Sequence, residues 1–411
     1  MNTPAMDPGL PDVKSDTLGG IIMLAAAALA LLWANSPWAG AYGEALSFSF
    51  GPAAVGLNKS LGLWISDGLM ALFFLYVGLE IKREMVEGRL SSRDRIALPA
   101  IAALGGMIVP ALFFLAFNHN DAMAARGWAI PCATDIAFSL AVLRVVGRRV
   151  PVSLRVFLTA VAILDDIGAI AIIAFFYTEQ LSTTMLLIAL VPVAALIALN
   201  RARVASFVPY ALLGILLWYC VLKSGIHPTI SGVVLAATIP MQTARGRMLE
   251  SLEHALKPWV VFLILPVFAL ANAGVSLQGT GLKGLLEPVA LGIILGLVFG
   301  KTFGVALGIL AAKLLRISQP PEGANWFQLL GVAHLCGIGF TMSLLVAVLA
   351  YETNTPHLFE EAKLGVLVGS TLGAIAGVVV LWLAPRPKAA NAVRCRLAVE
   401  WQAPGAVPPS R

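Results

Sequence analysis

VFLTAVAILDDIGAIAIIAFFY, residues 156 to 177, holds nothing charged except Asp165 and Asp166 and is long enough to cross a bilayer. A charged side chain at the centre of a membrane costs roughly 3 kcal/mol or more on insertion scales, and two in succession cost more still. The stretch therefore predicts a membrane-spanning helix carrying a carboxylate pair that a merely structural helix would avoid.

The rest of the 411 residues fits that start. Hydrophobic residues make up 59% and charged residues only 12%, with a mean hydropathy of +0.87, so the chain reads as an all-α polytopic membrane protein. The opening MNTPAMDPGLPDVKSD lacks a basic n-region, so the first apolar stretch is expected to be a retained helix, not a signal peptide. A division follows: 1-16 as an N-terminal segment, 17-384 as the membrane domain, and 385-411 as a tail carrying Arg386, Lys388, Arg394 and Arg396. The net charge of +6 is explained by positive-inside bias and does not imply nucleic acid. Cys132, Cys220, Cys336 and Cys395 show no CxxC pairing, so neither a disulfide framework nor a metal cluster follows, and no cofactor is implied.

Twelve apolar runs are visible, at about 17 to 35, 60 to 81, 97 to 117, 127 to 143, 156 to 177, 184 to 200, 205 to 222, 226 to 240, 258 to 276, 286 to 312, 327 to 350 and 361 to 384. Numbering the runs as helices puts 22 of the 28 basic residues on one side, 5 on the other (Lys59, Arg126, Lys223, Lys283 and Lys363) and Lys301 within the membrane. That asymmetry predicts cytoplasmic termini, and a miscount by one helix would destroy it. Between the first two helices, ALSFSFGPAAVGL at 45 to 57 alternates Phe with Ser and turns at Gly51-Pro52. A periplasmic β-hairpin and an irregular loop fit that pattern equally.

Two further helices bring polar groups to the depth of the pair. Asp165 and Asp166 stand about ten residues into helix five, near 15 Å deep. Thr134-Asp135 lie at the same depth in helix four, and so does Lys301 in helix ten. An ion-pair staple between helices needs one Asp and one Lys, whereas three carboxylates, a hydroxyl and one Lys leave the excess negative charge that a cation or proton site requires. Helices four and eleven also match each other. When Cys132 is set over Cys336, Ser139 falls on Ser343, Leu140 on Leu344 and Val142 on Val346. The two run in opposite directions, as in an inverted-topology repeat, and Pro131, Gly337 and Gly339 are places where a helix can open. At such a crossing Asp135 would balance facing helix N-termini and Lys301 the facing C-termini.

ATDIAFSLAVL (133–143), AILDDIGAIAII (162–173), FFLYVGLEIKRE (73–84), LKSGIHPTISG (222–232), LEHALKPWV (252–260), LPVFALANAGVSL (265–277) and LCGIGFTMS (335–343) closely resemble the bacterial NhaA sodium/proton antiporters. The similarity spans about residues 15 to 385. It implies a twelve-helix inner-membrane antiporter with inverted repeats, in which helices four and eleven are unwound and cross. By matching motif positions, Asp166 would be the main cation ligand, Asp165 the partner of Lys301 and a proton carrier, with Thr134 and Asp135 assisting at the crossing. Glu80, Lys82, Arg83, Glu84, Glu253 and His254 would form a cytoplasmic pH-sensing cluster, with Asp67 and His227 modulating it, and the loop at 45 to 57 would dimerise the protein. The sequence departs from the family pattern at Glu250-Ser251, which changes the charge balance of the sensor, and at His334, which reads either as a neutral, hydrogen-bonded core residue or, next to a helix break, as a group that tunes proton access.

Sodium and lithium prefer oxygen ligands, and Asp166, Asp165, Thr134 and opened carbonyls supply them. Burial disfavours the charged carboxylate, so protons compete for the same oxygens. A site that holds either, exposed alternately to each side, exchanges one for the other; loss of a second proton as the Lys301 pair breaks would make exchange electrogenic. Two rivals fit less well. A sodium-coupled symporter needs more solute anchors than Phe138, Phe340 and Met342. An intramembrane aspartyl protease could pair Asp135 with Asp166 but lacks a GxGD pattern and has no use for Lys301.

Overall fold

The computed structural model describes residues 13 to 385, apart from 89, 179–180, 245, 277–280 and 353–354. The expected cytoplasmic tail therefore lies outside the described residues beyond Pro385, as do residues 1 to 12 of the N-terminal segment. The described chain is mostly helical. Seven helices are long and apolar enough to cross a membrane: α3 (Leu61–Val86), α4 (Arg93–Asn118), α7 (Val152–Phe176), α8 (Thr183–Arg201), α11 (Met248–Asn272), α12 (Pro288–Leu314) and α15 (Pro356–Leu383). Three more pass as bent pairs. They are α1 (Val13–Ala34) with α2 (Ala39–Ser47) at 114°, α5 (Ala122–Cys132) with α6 (Ile136–Val146) at 47°, and α13 (Trp326–Cys336) with α14 (Phe340–Tyr351) at 41°. Two shorter apolar helices, α9 (Val208–Ser224) and α10 (Thr229–Thr238), complete the set.

Several boundaries differ from the sequence reading for physical reasons. The run at 226 to 240 contains only the ten-residue α10 because His227-Pro228 precede it; at 1.5 Å per residue it is about half a bilayer long. Its exposed carbonyl end is met from α3, where Lys82 Nζ donates to Ala237 O at 2.7 Å and Ile239 O at 2.6 Å. The run at 258 to 276 begins ten residues earlier, with an amphipathic turn that carries Glu250, Glu253, His254 and Lys257 out of the apolar layer. The stretch at 45 to 57 is only partly a hairpin. Residues 45 to 47 finish α2, and the antiparallel ribbon pairs β1 (Ser49–Phe50) with β2 (Lys59–Ser60), so its return strand lies beyond the predicted range.

One close helix packing is a seam the sequence reading overlooked. Gly292, Gly296, Gly300, Gly304 and Gly308 recur every fourth residue along one face of α12, and α4 lies against them. A Cβ on Gly304 would sit 2.2 Å from Gly105 O, and one on Gly105 would sit 2.2 Å from Gly304 O. Without a hydrophobic drive between helices in lipid, such backbone approach is what holds a pair together. Gly304→Ala is therefore expected to cost about 1 to 3 kcal/mol by overpacking. A melt of the purified protein in detergent should show a fall of several degrees, while Gly40→Ala, where nothing lies within 4 Å of the added Cβ, should melt like the parent.

Candidate functional site

The centre of the molecule is the meeting of the two broken pairs. Between α5 and α6 the chain is non-helical from Ala133 to Asp135, and between α13 and α14 it is non-helical from Gly337 to Gly339. The two breaks touch through Asp135 N–H, which donates to Ile338 O at 2.7 Å. Hydroxyls bind across in both directions: Ser139 Oγ donates to Leu335 O at 2.8 Å and Ser343 Oγ to Ile130 O at 2.6 Å. The serines matched by aligning Cys132 with Cys336 thus perform mirrored tasks. Glycine is required here by close approach, since a Cβ on Gly337 would meet Leu297 O at 2.2 Å and one on Gly339 would meet Ser343 Oγ at 2.1 Å. Leu297 belongs to a π-helical turn of α12, Gly296–Gly300, immediately before Lys301; wide turns of this kind are frequent at functional sites.

Each open helix end has a partner. Asp135 Oδ1 accepts from Phe138 N at 3.0 Å at the start of α6, and Oδ2 accepts from Thr341 N at 3.2 Å and Thr341 Oγ1 at 2.5 Å at the start of α14. One carboxylate therefore caps two helix N-termini, where negative charge is favoured. The position matching Asp135 in the second repeat is Gly339, which explains the double duty. On the carbonyl side, Lys301 Nζ donates to Cys132 O at 2.5 Å and Thr134 Oγ1 lies 2.7 Å from Cys336 O.

Asp165 and Asp166 differ sharply in their contacts. Asp165 Oδ2 accepts from Lys301 Nζ at 2.6 Å and from Thr134 Oγ1 at 2.6 Å, with Asp165 only 1% and Lys301 0% exposed. Asp166 is also buried, yet its Oδ1 has no hydrogen-bond partner among the described residues. The charges that act on it are Asp165, Glu80 and Asp135 against the single ammonium of Lys301. The group is thus oxygen-rich, with three carboxyl groups to one ammonium and Asp166 Oδ1 uncommitted among the described residues. Among the described residues no cluster of three or more His, Cys, Asp or Glu has the geometry of a bound-metal site.

The residues assigned to a pH sensor divide between two places. Near the start of α11, Arg83 forms a two-pronged pair with Glu253, Nε to Oε2 at 2.7 Å and an Nη to Oε1 at 3.1 Å, and also meets Glu84 at 3.1 Å. Glu80 lies within the field of Glu253, Arg83, Lys257 and Glu84 as well as of Asp166, and so links this group to the midplane. Lys82 is turned instead to the carbonyls of α10, and His254 Nδ1 binds the Glu250 carbonyl of its own helix at 2.8 Å. Glu250 pairs with Arg247, which also reaches Glu87. At the opposite end, Asp67 pairs with Lys59 at 2.5 Å and faces His227 Nε2 at 3.5 Å. His334 is partly buried with Nδ1 2.9 Å from Leu330 O.

Two more features escaped the sequence. Thr341 sits inside the quoted GFTMS motif, but only the fold reveals that it faces Asp135. Near Asp67 and β2, a cavity of about 260 Å³ is lined by Tyr42, Ser60, Asn272, Glu352 and Lys363. Burial pushes the Glu352 carboxyl above the usual range there, with Asp67 adding to the effect.

The family model described as Na+/H+ antiporter 1 matches residues 12–381. The chain is 51% identical over 376 residues to the Na(+)/H(+) antiporter NhaA of Shewanella sp. (strain MR-4), covering 90% of this chain and 96% of that one. It is 52% identical over 375 residues to the Na(+)/H(+) antiporter NhaA of Aeromonas hydrophila subsp. hydrophila, covering 90% and 95%. A solved sodium proton antiporter, MjNhaP1 from Methanocaldococcus jannaschii, overlays 94% of this chain and 96% of its own at a TM-score of 0.46 and 15% identity, too distant to add to the assignment. With a family model matched over residues 12–381 and half its residues shared across nine-tenths of its length, the chain belongs to the Na+/H+ antiporter 1 family.

Proposed function

We infer that the protein exchanges Na+ or Li+ for H+ across a bacterial inner membrane. Membership of the antiporter family supports the exchange, and the observation that carries it to particular atoms is the uncommitted Oδ1 of buried Asp166 amid an excess of acidic charge. Asp166 is the principal cation ligand and Thr134 with Asp165 are its neighbours; a proton on Asp166 and the metal exclude each other. Binding of metal draws on oxygens now held by Lys301 and Thr134, so the Asp165–Lys301 pair loosens and an N–H bond of the buried Lys301 ammonium, no longer held by the carboxylate, breaks to release a second proton. More than one H+ per Na+ follows, which makes exchange electrogenic. No resident cofactor takes part. The organic-solute symporter finds no support: the cavity beside Asp165 measures about 10 Å³, far below what a solute needs.

Seven long helices, three bent pairs and two short helices support a twelve-span protein with helices four and eleven unwound at the crossing. With twelve spans the 22-to-5 basic asymmetry puts both termini, and the tail after 385, in the cytoplasm. The Arg83–Glu253 group then faces the cytoplasm as a pH-responsive gate reached from Asp166 through Glu80, and the β1–β2 ribbon faces the periplasm, where it joins two copies. Everted vesicles carrying a proton-sensitive dye test the reading. Sodium and lithium should each release a respiration-driven pH gradient in a pH-dependent way and potassium should not; equal responses to all three ions would overturn it.

A further inference from the structure

Glu352 is a carboxylate that neither the exchange site nor the Arg83–Glu253 group employs. It follows directly on α14 and lines the cavity of about 260 Å³ at the end of the molecule where Asp67 lies. Although it is partly buried, its carboxylate makes no hydrogen bond and no ion pair among the described residues. The charges around it are already matched. Asp67 is paired with Lys59 at 2.5 Å and Lys363 with Glu360 at 2.5 Å, while Lys363 Nζ also donates to Gly274 O at 2.8 Å. Glu352, within the field of both Asp67 and Lys363, is therefore left over with one negative charge. A second oxygen stands in the same wall. Asn272 is only 6% exposed and gives Nδ2 to Phe268 O at 3.0 Å, which leaves its amide oxygen without a partner among the described residues. Ser47 and Ser60 add hydroxyls to the lining.

We propose that this cavity is a second binding site for a monovalent cation, Na+ or Li+, held by the Glu352 carboxylate and Asn272 Oδ1 and otherwise by water. Hard cations take oxygen donors, and an unpaired carboxylate beside an orphaned amide oxygen supplies two. One leftover negative charge balances one positive charge, whereas a divalent ion would stay half compensated next to Lys363. At roughly 30 Å³ per water, the cavity has room for the ion together with part of its hydration shell, so it binds loosely and exchanges quickly. The choice of ion rests on the antiport reading; the site itself does not. One wall is made by the ends of α14 and α15, and the other by α2, β2 and the end of α11. An ion here therefore ties the helix that carries Thr341 to the ribbon and α11, at a place separate from Asp166.

The experiment measures equilibrium binding of radioactive Na+ to the full chain in detergent, with sodium exchanged for choline at constant ionic strength. Asp166→Asn serves as the starting protein, so that the exchange site does not contribute. It should still bind sodium, with millimolar affinity. Adding Glu352→Gln should weaken that binding by about tenfold or more, Asn272→Ala should weaken it several-fold, and Glu352→Asp, which keeps the charge, should retain most of it. Glu352→Gln keeps the shape and breaks no pair, so its melt in choline should match the starting protein's. If it does not fold, Asn272→Ala carries the same expectation through the other ligand. An Asp166→Asn protein that binds no sodium, or sodium binding that both Glu352→Gln and Asn272→Ala leave untouched, overturns the site. Absence of sodium-driven proton movement in the parent would instead sink the antiport reading and leave this result standing, since the binding measurement involves no transport.

Discussion

Asp166→Asn should abolish sodium-driven proton movement in vesicles while leaving the protein inserted and folded. The substitution keeps the shape and removes only the charge. At an effective dielectric of about 20, a carboxylate about 4 Å from a cation contributes on the order of 4 kcal/mol, close to a thousandfold in affinity, so exchange should fall below detection at millimolar sodium. Stability should not suffer. Asp166 gives up no hydrogen bond on Oδ1, and its loss relieves repulsion from Asp165, Glu80 and Asp135. A melting temperature equal to or above the parent's, with transport gone, is the signature of a site residue. Full exchange in both Asp166→Asn and Asp166→Ala would remove Asp166 from the mechanism, and transport lost together with folding would make it a structural residue.

Depth was legible in the sequence, and direction around the helix was not. A charge in an apolar run announces how far it lies from the membrane surface, so Thr134, Asp135, Asp165, Asp166 and Lys301 could be placed in one layer by counting residues. The roughly 100° that separates neighbours on a helix lets the two adjacent acids face different partners, but which of them meets Lys301 came only from the resemblance to the family. Facing partners on other helices leave no such trace. Thr341 against Asp135 and the glycines of α12 against α4 both depend on rotation and approach of helices distant in sequence. The sensor cluster shows the same limit. Lys82 and Arg83 are adjacent, yet their side chains diverge by a helical step, one to the end of α10 and the other to Glu253. Nor did the sequence suggest α2, because AGAYGEALS is short and only weakly apolar; its position is set by Tyr42 Oη donating to Leu270 O at 2.8 Å.

Lys301→Ala is the substitution expected to cost the fold most. The ammonium is fully buried and holds Asp165 Oδ2 and Cys132 O together. Its removal strands a carboxylate and the carbonyl end of the segment before the crossing. Breaking one side of a buried pair typically costs 3 to 5 kcal/mol, about what a domain has to spare, because the remaining charge is left uncompensated. A large drop in melting temperature is expected, and unchanged melting would contradict the structural role. The double variant Lys301→Ala with Asp165→Asn separates that role from transport. With the charge gone along with its partner, most of the loss should return, leaving chiefly the cost of an unpaired Cys132 carbonyl, about 1 to 3 kcal/mol. If Asp166 alone binds the cation, the double variant should still exchange sodium for protons, but with one proton fewer per cycle. Its rate should then respond less to an imposed membrane potential than the parent's. A double variant as unstable as Lys301→Ala would mean that Lys301 acts on the crossing through the Cys132 carbonyl and not through Asp165.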